Sequence, residues 1–247
     1  MHYNNYRMRI FLLTFFIFIA ISSCSRVPEP PAEEAGQSII PVFEVFGYAR
    51  CQNCPIVEHA VDSLKKLYGD SIAVLEYHLR WDGGDTISPE DIDLKTILYA
   101  ISNAAPVTII QGVHRVDGAE SDESAQIEKF DTYYKSLRLL NDSINLIISF
   151  DTTGDSLLIT FNCDSLQSID TTTSVLFVAI TEDSVFFALS GAEDSVYNNV
   201  VRKLLLLPSN LPQSVSFKKD YLSGKTVVAM IQDTVNKNIL SVTQRRF

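Results

Sequence analysis

Ile39-Ile40-Pro41-Val42-Phe43-Glu44-Val45-Phe46-Gly47-Tyr48-Ala49-Arg50-Cys51-Gln52-Asn53-Cys54-Pro55 is the stretch that decides the fold. Its first eight residues are an apolar run that reads as a buried strand, and Gly47 to Arg50 make a turn. From Gln52 to Tyr68 the apolar positions Ile56, Val57, Ala60, Val61, Leu64 and Leu67 recur at helical spacing. A second apolar run, Ile72-Ala73-Val74-Leu75, predicts the next strand. The two cysteines therefore fall at the strand-to-helix junction of a βαβ unit.

That position has chemical consequences. A cysteine in the first turn of a helix faces unpaired N–H groups and the positive end of the helix dipole, and both favour the thiolate. Arg50 adds a cation beside Cys51. Cys54, one turn further in, is close enough to close a disulfide and is expected to be the more buried of the two. Pro55 suits a first helical turn, where no N–H is needed. Three readings fit these residues: a redox pair with Cys51 as nucleophile and Cys54 as resolving thiol, an inert structural disulfide, or half of a zinc site.

A Cys-x-x-Cys pair at such a junction resembles the redox site of thioredoxin-like folds. The rest of the first half follows that order. Asp82-Gly83-Gly84 is a turn. Ser88 and Pro89 look like the cap and first position of a helix running to about Ser102. Trp81, at its entry, is expected to pack in the core or at a rim rather than stack on a substrate. Ala104 to Gly118 reads as a β-hairpin about Gln111-Gly112. Thioredoxin-like proteins carry a cis-proline just before this strand, against the redox pair, and Pro106 matches that place. Ser121 to Leu140 is the closing helix, with Ile127, Phe130, Tyr134, Leu137 and Leu140 on one face.

From Asn141 the period changes. Residues 144–150 and 156–161 flank Asp151 to Asp155 as a hairpin; strands are expected at 174–181, 184–189, 215–218, 225–232 and 239–243. Tyr197 to Leu207 fits strand or helix. Short strands separated by Asp, Ser, Asn and Gly suggest an all-β sandwich. This half has no cluster of His, Cys or paired carboxylates, so no cofactor and no metal are expected.

The first residues read as an export leader. Arg7 and Arg9 precede the apolar run Ile10 to Ala20, too short for a comfortable membrane span, which ends in Ile21-Ser22-Ser23-Cys24. This looks like a bacterial lipobox. It implies a leader at 1–23, acylation of Cys24, attachment to a lipid bilayer, and a compartment where disulfides persist. Residues 24–38, with Pro28-Glu29-Pro30-Pro31, read as a lipid-proximal linker. The domains expected are 39–140, an α/β thioredoxin-like domain, and 141–247, a β-sandwich (Ig-like) domain.

Charge and cysteine count narrow the function. The 247 residues carry 20 basic and 30 acidic groups, net −10; without Arg7 and Arg9 the balance is 18 against 30, or −12. That argues against nucleic acid as a partner. Of 4 cysteines, Cys163 stands apart in an apolar strand and is expected to be buried and inert. His59, His78 and His114 have packing or solvated roles by default.

Over its whole mature length the chain resembles the family related to a twenty-eight-kilodalton outer membrane lipoprotein, with a thioredoxin-like half and a β-sandwich half. The resemblance rests on Val42 through Pro55, then Leu176-Phe177-Val178-Ala179-Ile180-Thr181-Glu182-Asp183, Asn199-Val200-Val201-Arg202 and Val228-Ala229-Met230-Ile231-Gln232-Asp233. It implies a lipid-anchored envelope protein at the outer membrane, facing the periplasm or exposed at the surface. Against ordinary thioredoxins, Arg50 stands where Trp precedes the first cysteine, and Gln52-Asn53 stand for Gly-Pro. Glu44 is the stand-in for the buried acid that assists proton transfer, although strand alternation leaves its direction open. The expected function is thiol–disulfide exchange on other envelope proteins. The alternative is a non-catalytic binding or scaffolding lipoprotein whose cysteine pair is a staple.

Overall fold

Two buried parallel strands stand at the heart of the molecule. The structure, a computed structural model, describes residues 38–81, 84–102 and 104–247. The expected leader, Cys24, nearly all of the linker, and Asp82-Gly83 lie outside the described residues. Strand β1 (Val42–Gly47) leads into helix α1 (Cys54–Tyr68), which returns to β2 (Ala73–His78), paired parallel to β1. Every residue of both strands is buried, as a parallel pair covered on both faces requires. The chain then passes a 3₁₀ turn at Glu90–Ile92 and a short helix α2 (Asp93–Leu98). Strands β3 (Val107–Ile110) and β4 (His114–Asp117) follow, antiparallel, and then helix α3 (Glu123–Leu137).

The second half is nearly all strand: β5 (Leu146–Thr153), β6 (Ser156–Cys163), β7 (Ser174–Glu182), β8 (Val185–Phe186), β9 (Val196–Tyr197), β10 (Val200–Pro208), β11 (Gln213–Lys218), helix α4 (Lys219–Leu222), β12 (Thr226–Asp233) and β13 (Ile239–Arg246). The molecule is mixed α/β, mostly sheet. Its main sheet has eight strands in the order β13-β12-β7-β10-β2-β1-β3-β4. The halves expected at 39–140 and 141–247 thus share one sheet, and the described residues from 38 onward form one compact unit. They join where β10 runs parallel to β2, Val200 opposite Glu76. A three-stranded sheet, β11-β6-β5, packs against β7 and β12 of the main sheet.

Strand alternation sorts the core. Phe43, Val45 and Val74 face α1 and α3, meeting Val57, Val61, Leu64, Phe130 and Tyr134. Val42, Phe46, Leu75 and Tyr77 face the other way, into a core that continues through Phe177, Val228 and Met230. Leu157, Ile159 and Phe161 of β6 pack on Leu176, Val178 and Ile180 of β7 and on Val227, Ala229 and Ile231 of β12. Each such side chain, fully buried, contributes about 1.5–3 kcal/mol.

Several local expectations need correction. The helix expected from Ser88 to Ser102 shrinks to the 3₁₀ turn and α2. Ser88 does not cap it: its Oγ accepts the His78 N–H at 3.1 Å, and Ala100, at φ 51°, ends it early. Helix α3 starts on Asp122, whose carboxylate accepts the Ala125 N–H at 2.9 Å, and it stops before Leu140, which is exposed. Tyr197 to Leu207 resolves into strand. Trp81, as expected, sits at a rim, its ring 6.2 Å from that of Tyr48. Cys163 ends β6 half-buried rather than buried, and burial holds its thiol above the ordinary range. His114 is exposed beside the Tyr133 ring.

Glu44 is fully buried on the face away from α1. Its carboxylate meets Lys95 Nζ at 2.9 Å and accepts the hydroxyls of Tyr77 and Tyr99. Lys95 also donates to Gln232 Oε1 at 2.7 Å. Removing one partner of such a pair costs about 3–5 kcal/mol, because the other is left charged and buried. Lys95→Met alone is therefore expected to lower the unfolding free energy by that amount in urea titrations. The double change Glu44→Gln with Lys95→Met is expected to lose at least about 1 kcal/mol less than the two single losses added together.

Candidate functional site

Cys51 and Cys54 form a disulfide across the turn that opens α1. The turn is built from two backbone bonds, Cys51 N–H to Tyr48 O at 2.9 Å and Cys54 N–H to Cys51 O at 3.3 Å. Helix α1 begins at Cys54, with Pro55 in its first turn, no acid there, and no side chain capping its free N–H groups. Both features leave the positive end of the helix directed at the sulfurs. Cys54 is the more buried, 1% against 5% for Cys51.

The end of β1 is fitted to these groups. A Cβ on Gly47 would stand 3.1 Å from Cys54 Sγ and 3.0 Å from Glu58 Oε1, so any larger residue there would push on both side chains. Glu58 follows Cys54 by four residues and shares its helix face. It is this carboxylate, and not Glu44, that lies beside Cys54. The signal was present in the helical spacing, but a strand acid drew the expectation instead. Glu44 remains on the opposite face of the sheet with Lys95 and two tyrosines.

Pro106 precedes β3, whose Val107 pairs with Phe46 at the Gly47 end of β1. The Ala105–Pro106 bond is cis, as the resemblance implied. The register brings Pro106 to the edge of the sheet from which the cysteine turn springs. Arg50 reaches outward: its Nε donates to the carbonyl of Ser190 at 2.8 Å. The segment around Ser190 belongs to the β8–β9 hairpin, which packs Tyr197, Phe187 and Leu189 against Ala49 and Ile87. The second half thereby covers the loop that carries Cys51.

Behind the disulfide lies a polar group that the sequence reading did not assemble. Glu76 and His78 alternate with Val74 on the α1 side of β2, where they meet Glu58. One ligand atom from each of Glu58, Glu76 and His78 lies within 4.8 Å of the others, and all three residues are buried. His78 Nδ1 is 2.9 Å from Asp85 Oδ2. Asp85 also accepts the N–H of Ala49 at 2.7 Å and that of Ile87 at 3.1 Å. Burial would raise the Asp85 carboxyl, but His78 and these amides hold it below the ordinary range. Burial pushes Glu58 up to about 7, with Asp194 and Asp62 adding to the shift and His78 and His59 opposing it. Burial, then Glu58 and the acids beyond it, drive Glu76 well above the usual carboxylate range. His59 sits half-exposed, 3.1 Å from Asp194.

The Glu58 shift fixes a pH dependence. Between pH 4.5 and 7 the folded chain holds a proton on Glu58 that the unfolded chain has released, so stability falls as pH rises through that window. The loss for this group is about 3 kcal/mol. With a chelator present, Glu58→Gln is expected to flatten the decline between pH 4.5 and 7 by that amount in denaturant titrations. A profile unchanged by the substitution would place the Glu58 carboxyl at its ordinary value.

No family model matches the chain, and no curated protein does. Two solved structures are similar to it in fold. One is the crystal structure of protein AGR_C_4864 from Agrobacterium tumefaciens, at 14% identity and a TM-score of 0.56, covering 86% of this chain and 96% of that one. The other is HBP35 of Porphyromonas gingivalis, at 13% identity and a TM-score of 0.59, covering 85% of this chain and 76% of that one. At such identities the likeness is one of fold alone. Among the described residues, no helix is long and apolar enough to cross a membrane.

Proposed function

We propose that the chain is a thiol–disulfide exchange protein of the cell envelope. In this reading it is a thioredoxin-like half and a β-sandwich half, held to the outer membrane by acyl chains on Cys24. It belongs with the lipoproteins that its signature stretches resemble, and its substrates are other envelope proteins. The observation that carries the reading is the place of the disulfide. It closes over a single turn at the open N-terminus of α1, where the field and the free N–H groups stabilise a thiolate.

The span of the disulfide supports exchange over stapling. A cross-link that closes only four residues constrains the unfolded chain by about 2 kcal/mol. In the reduced protein the Cys51 thiolate attacks one sulfur of a substrate disulfide. A mixed disulfide forms and the other substrate sulfur leaves as a thiolate. Cys54, deprotonated, attacks Cys51 Sγ, the 51–54 disulfide closes and the second substrate sulfur leaves. The substrate gains two electrons and two protons; the dithiol protein gives up both, the protons of Cys51 and Cys54 passing through solvent to the leaving thiolates, and it is reset by a dithiol donor. The reverse sequence oxidises a substrate dithiol. Pro106 borders the turn where the substrate strand would lie, and Glu44 has no part in either step.

One observation favours the alternative, a binding or scaffolding lipoprotein: Cys51 and Cys54 are only 5% and 1% exposed. The two readings part in thiol chemistry on the folded protein. Exchange predicts that dithiothreitol reduces the native pair, and that Cys54→Ser accumulates a glutathione adduct on Cys51 while Cys51→Ser accumulates none. A pair that stays oxidised in excess dithiol until the protein unfolds, with no adduct on Cys54→Ser, would end the exchange reading. In either case Cys51→Ala with Cys54→Ala is expected to cost about 2 kcal/mol of stability or less.

A further inference from the structure

Glu58, Glu76 and His78 form a donor set that the exchange chemistry does not require. Glu76 Oε1 and His78 Nε2 are buried and have no hydrogen-bond partner among the described residues. Their residues are 2% and 1% exposed. An unpaired buried polar atom costs about 1–3 kcal/mol, and two such atoms in one group whose ligand atoms lie within 4.8 Å of one another point to a missing partner. Asp85 holds His78 by Nδ1, which leaves Nε2 as the ring atom that could meet that partner. Asp85 is in turn fixed by two backbone N–H groups. A carboxylate behind a histidine in this way sets the tautomer and orientation of a metal-ligating imidazole.

The charge around the group is one-sided. Asp62, Asp183 and Asp194 all act on Glu76, and Asp62 and Asp194 also act on Glu58. Lys66 and His59 face Asp62 from α1. A divalent cation between the two carboxylates would remove their mutual repulsion and take up both orphaned atoms.

We propose that Glu58, Glu76 and His78 bind a divalent transition-metal ion, with Asp85 as the residue that positions His78. Two carboxylate oxygens and one imidazole nitrogen suit Zn²⁺ or Mn²⁺ rather than a soft cation such as Cu⁺. Ligands about 2.1 Å from a tetrahedral metal stand about 3.4 Å apart. The present group, within 4.8 Å, closes to that spacing by a movement of about 1 Å, which rotation of the Glu58 side chain supplies. Three protein ligands leave a fourth position open. Glu58 shares the space beside Gly47 with Cys54, so the ion lies one helical turn beneath the disulfide. The site needs no sulfur and does not rest on the exchange reading.

The test is calorimetric titration of the oxidised full chain, stripped with chelator, using Zn²⁺ and Mn²⁺ in turn. One ion per chain is expected to bind, and at one hundred times its dissociation constant to raise the melting temperature by about 5 °C or more. Glu76→Gln, nearly isosteric, and His78→Ala are each expected to weaken binding by about 100-fold or more, and Asp85→Asn by about 10–100-fold. His59→Ala, at the half-exposed pair with Asp194, is expected to change it less than about threefold. Cys51→Ala with Cys54→Ala is expected to bind as the parent does. Circular dichroism with chelator present checks folding; should His78→Ala fail to fold, Glu76→Gln and Asp85→Asn decide. No saturable binding of either ion up to roughly 1 mM, or equal affinity in the Glu76 and Asp85 variants, would overturn the proposal.

Discussion

Glu76 donates its backbone N–H to the carbonyl of Asn199, 2.9 Å away, and on that contact the second half of the chain is seated against the first. Strand β2 would otherwise be a sheet edge, with a row of unpaired groups. Strand β10 closes it, parallel, with Val200 opposite Glu76. The two oxygens of the Asp62 carboxylate on α1 then accept the side-chain amides of Asn198 and Asn199, which ties the helix to the same junction. Because β9 and β10 are separated by only those two asparagines, the pairing also fixes where the β8–β9 hairpin goes. It lies over Ala49, Arg50 and Ile87. Burial of Cys51, Glu76 and His78 is in this sense a consequence of one strand pairing.

A second seam holds the far end of the sheet. The turn between β3 and β4 inserts against the segment before β13. Gln111 accepts the Ile239 N–H and donates its side-chain amide to Ile239 O at 2.8 Å. Gly112, at φ +79°, brings its backbone so close to Lys237 that a Cβ would lie 2.0 Å from the Lys237 carbonyl oxygen. Between the two seams sits the buried pair of Glu44 and Lys95, bonded to Tyr99 and Gln232. The charge pair joins β1 to α2 within the first half, and through Gln232 it links both to β12 of the second.

The sequence made legible what depends on near neighbours. The β1–α1–β2 unit, the disulfide and the β3–β4 hairpin follow from periodicities and spacings within about thirty residues. So did most strands of the second half, because their alternation is clean. What escaped was what depends on partners far along the chain. Glu44 is apolar-flanked in sequence and looks like a core acid near the cysteines; only the phase of β1 shows that it faces Lys95. Ser88 has the residue type of a helix cap, but its hydroxyl is taken by His78 of β2. The join between halves was not visible either, since Val200 and Glu76 are brought together by a pairing of one residue in β10.

The cluster behind the disulfide shows the same limit from the other side. Each member was readable alone. Glu58 is one helical turn from Cys54, and Glu76 and His78 keep the two-residue phase of Val74. An alternating strand that puts Glu and His where Val and Leu are expected breaks its own pattern twice on one face. Such breaks are costly unless the groups are paired with one another or with something they hold. Asp85 answers for one atom of His78 and nothing among the described residues answers for the other, nor for Glu76 Oε1. Packing alone would have been served by apolar residues of similar volume at 76 and 78. The polar choice at both positions, on the face that α1 covers and directly behind the cysteine turn, is what the proposed ion would answer.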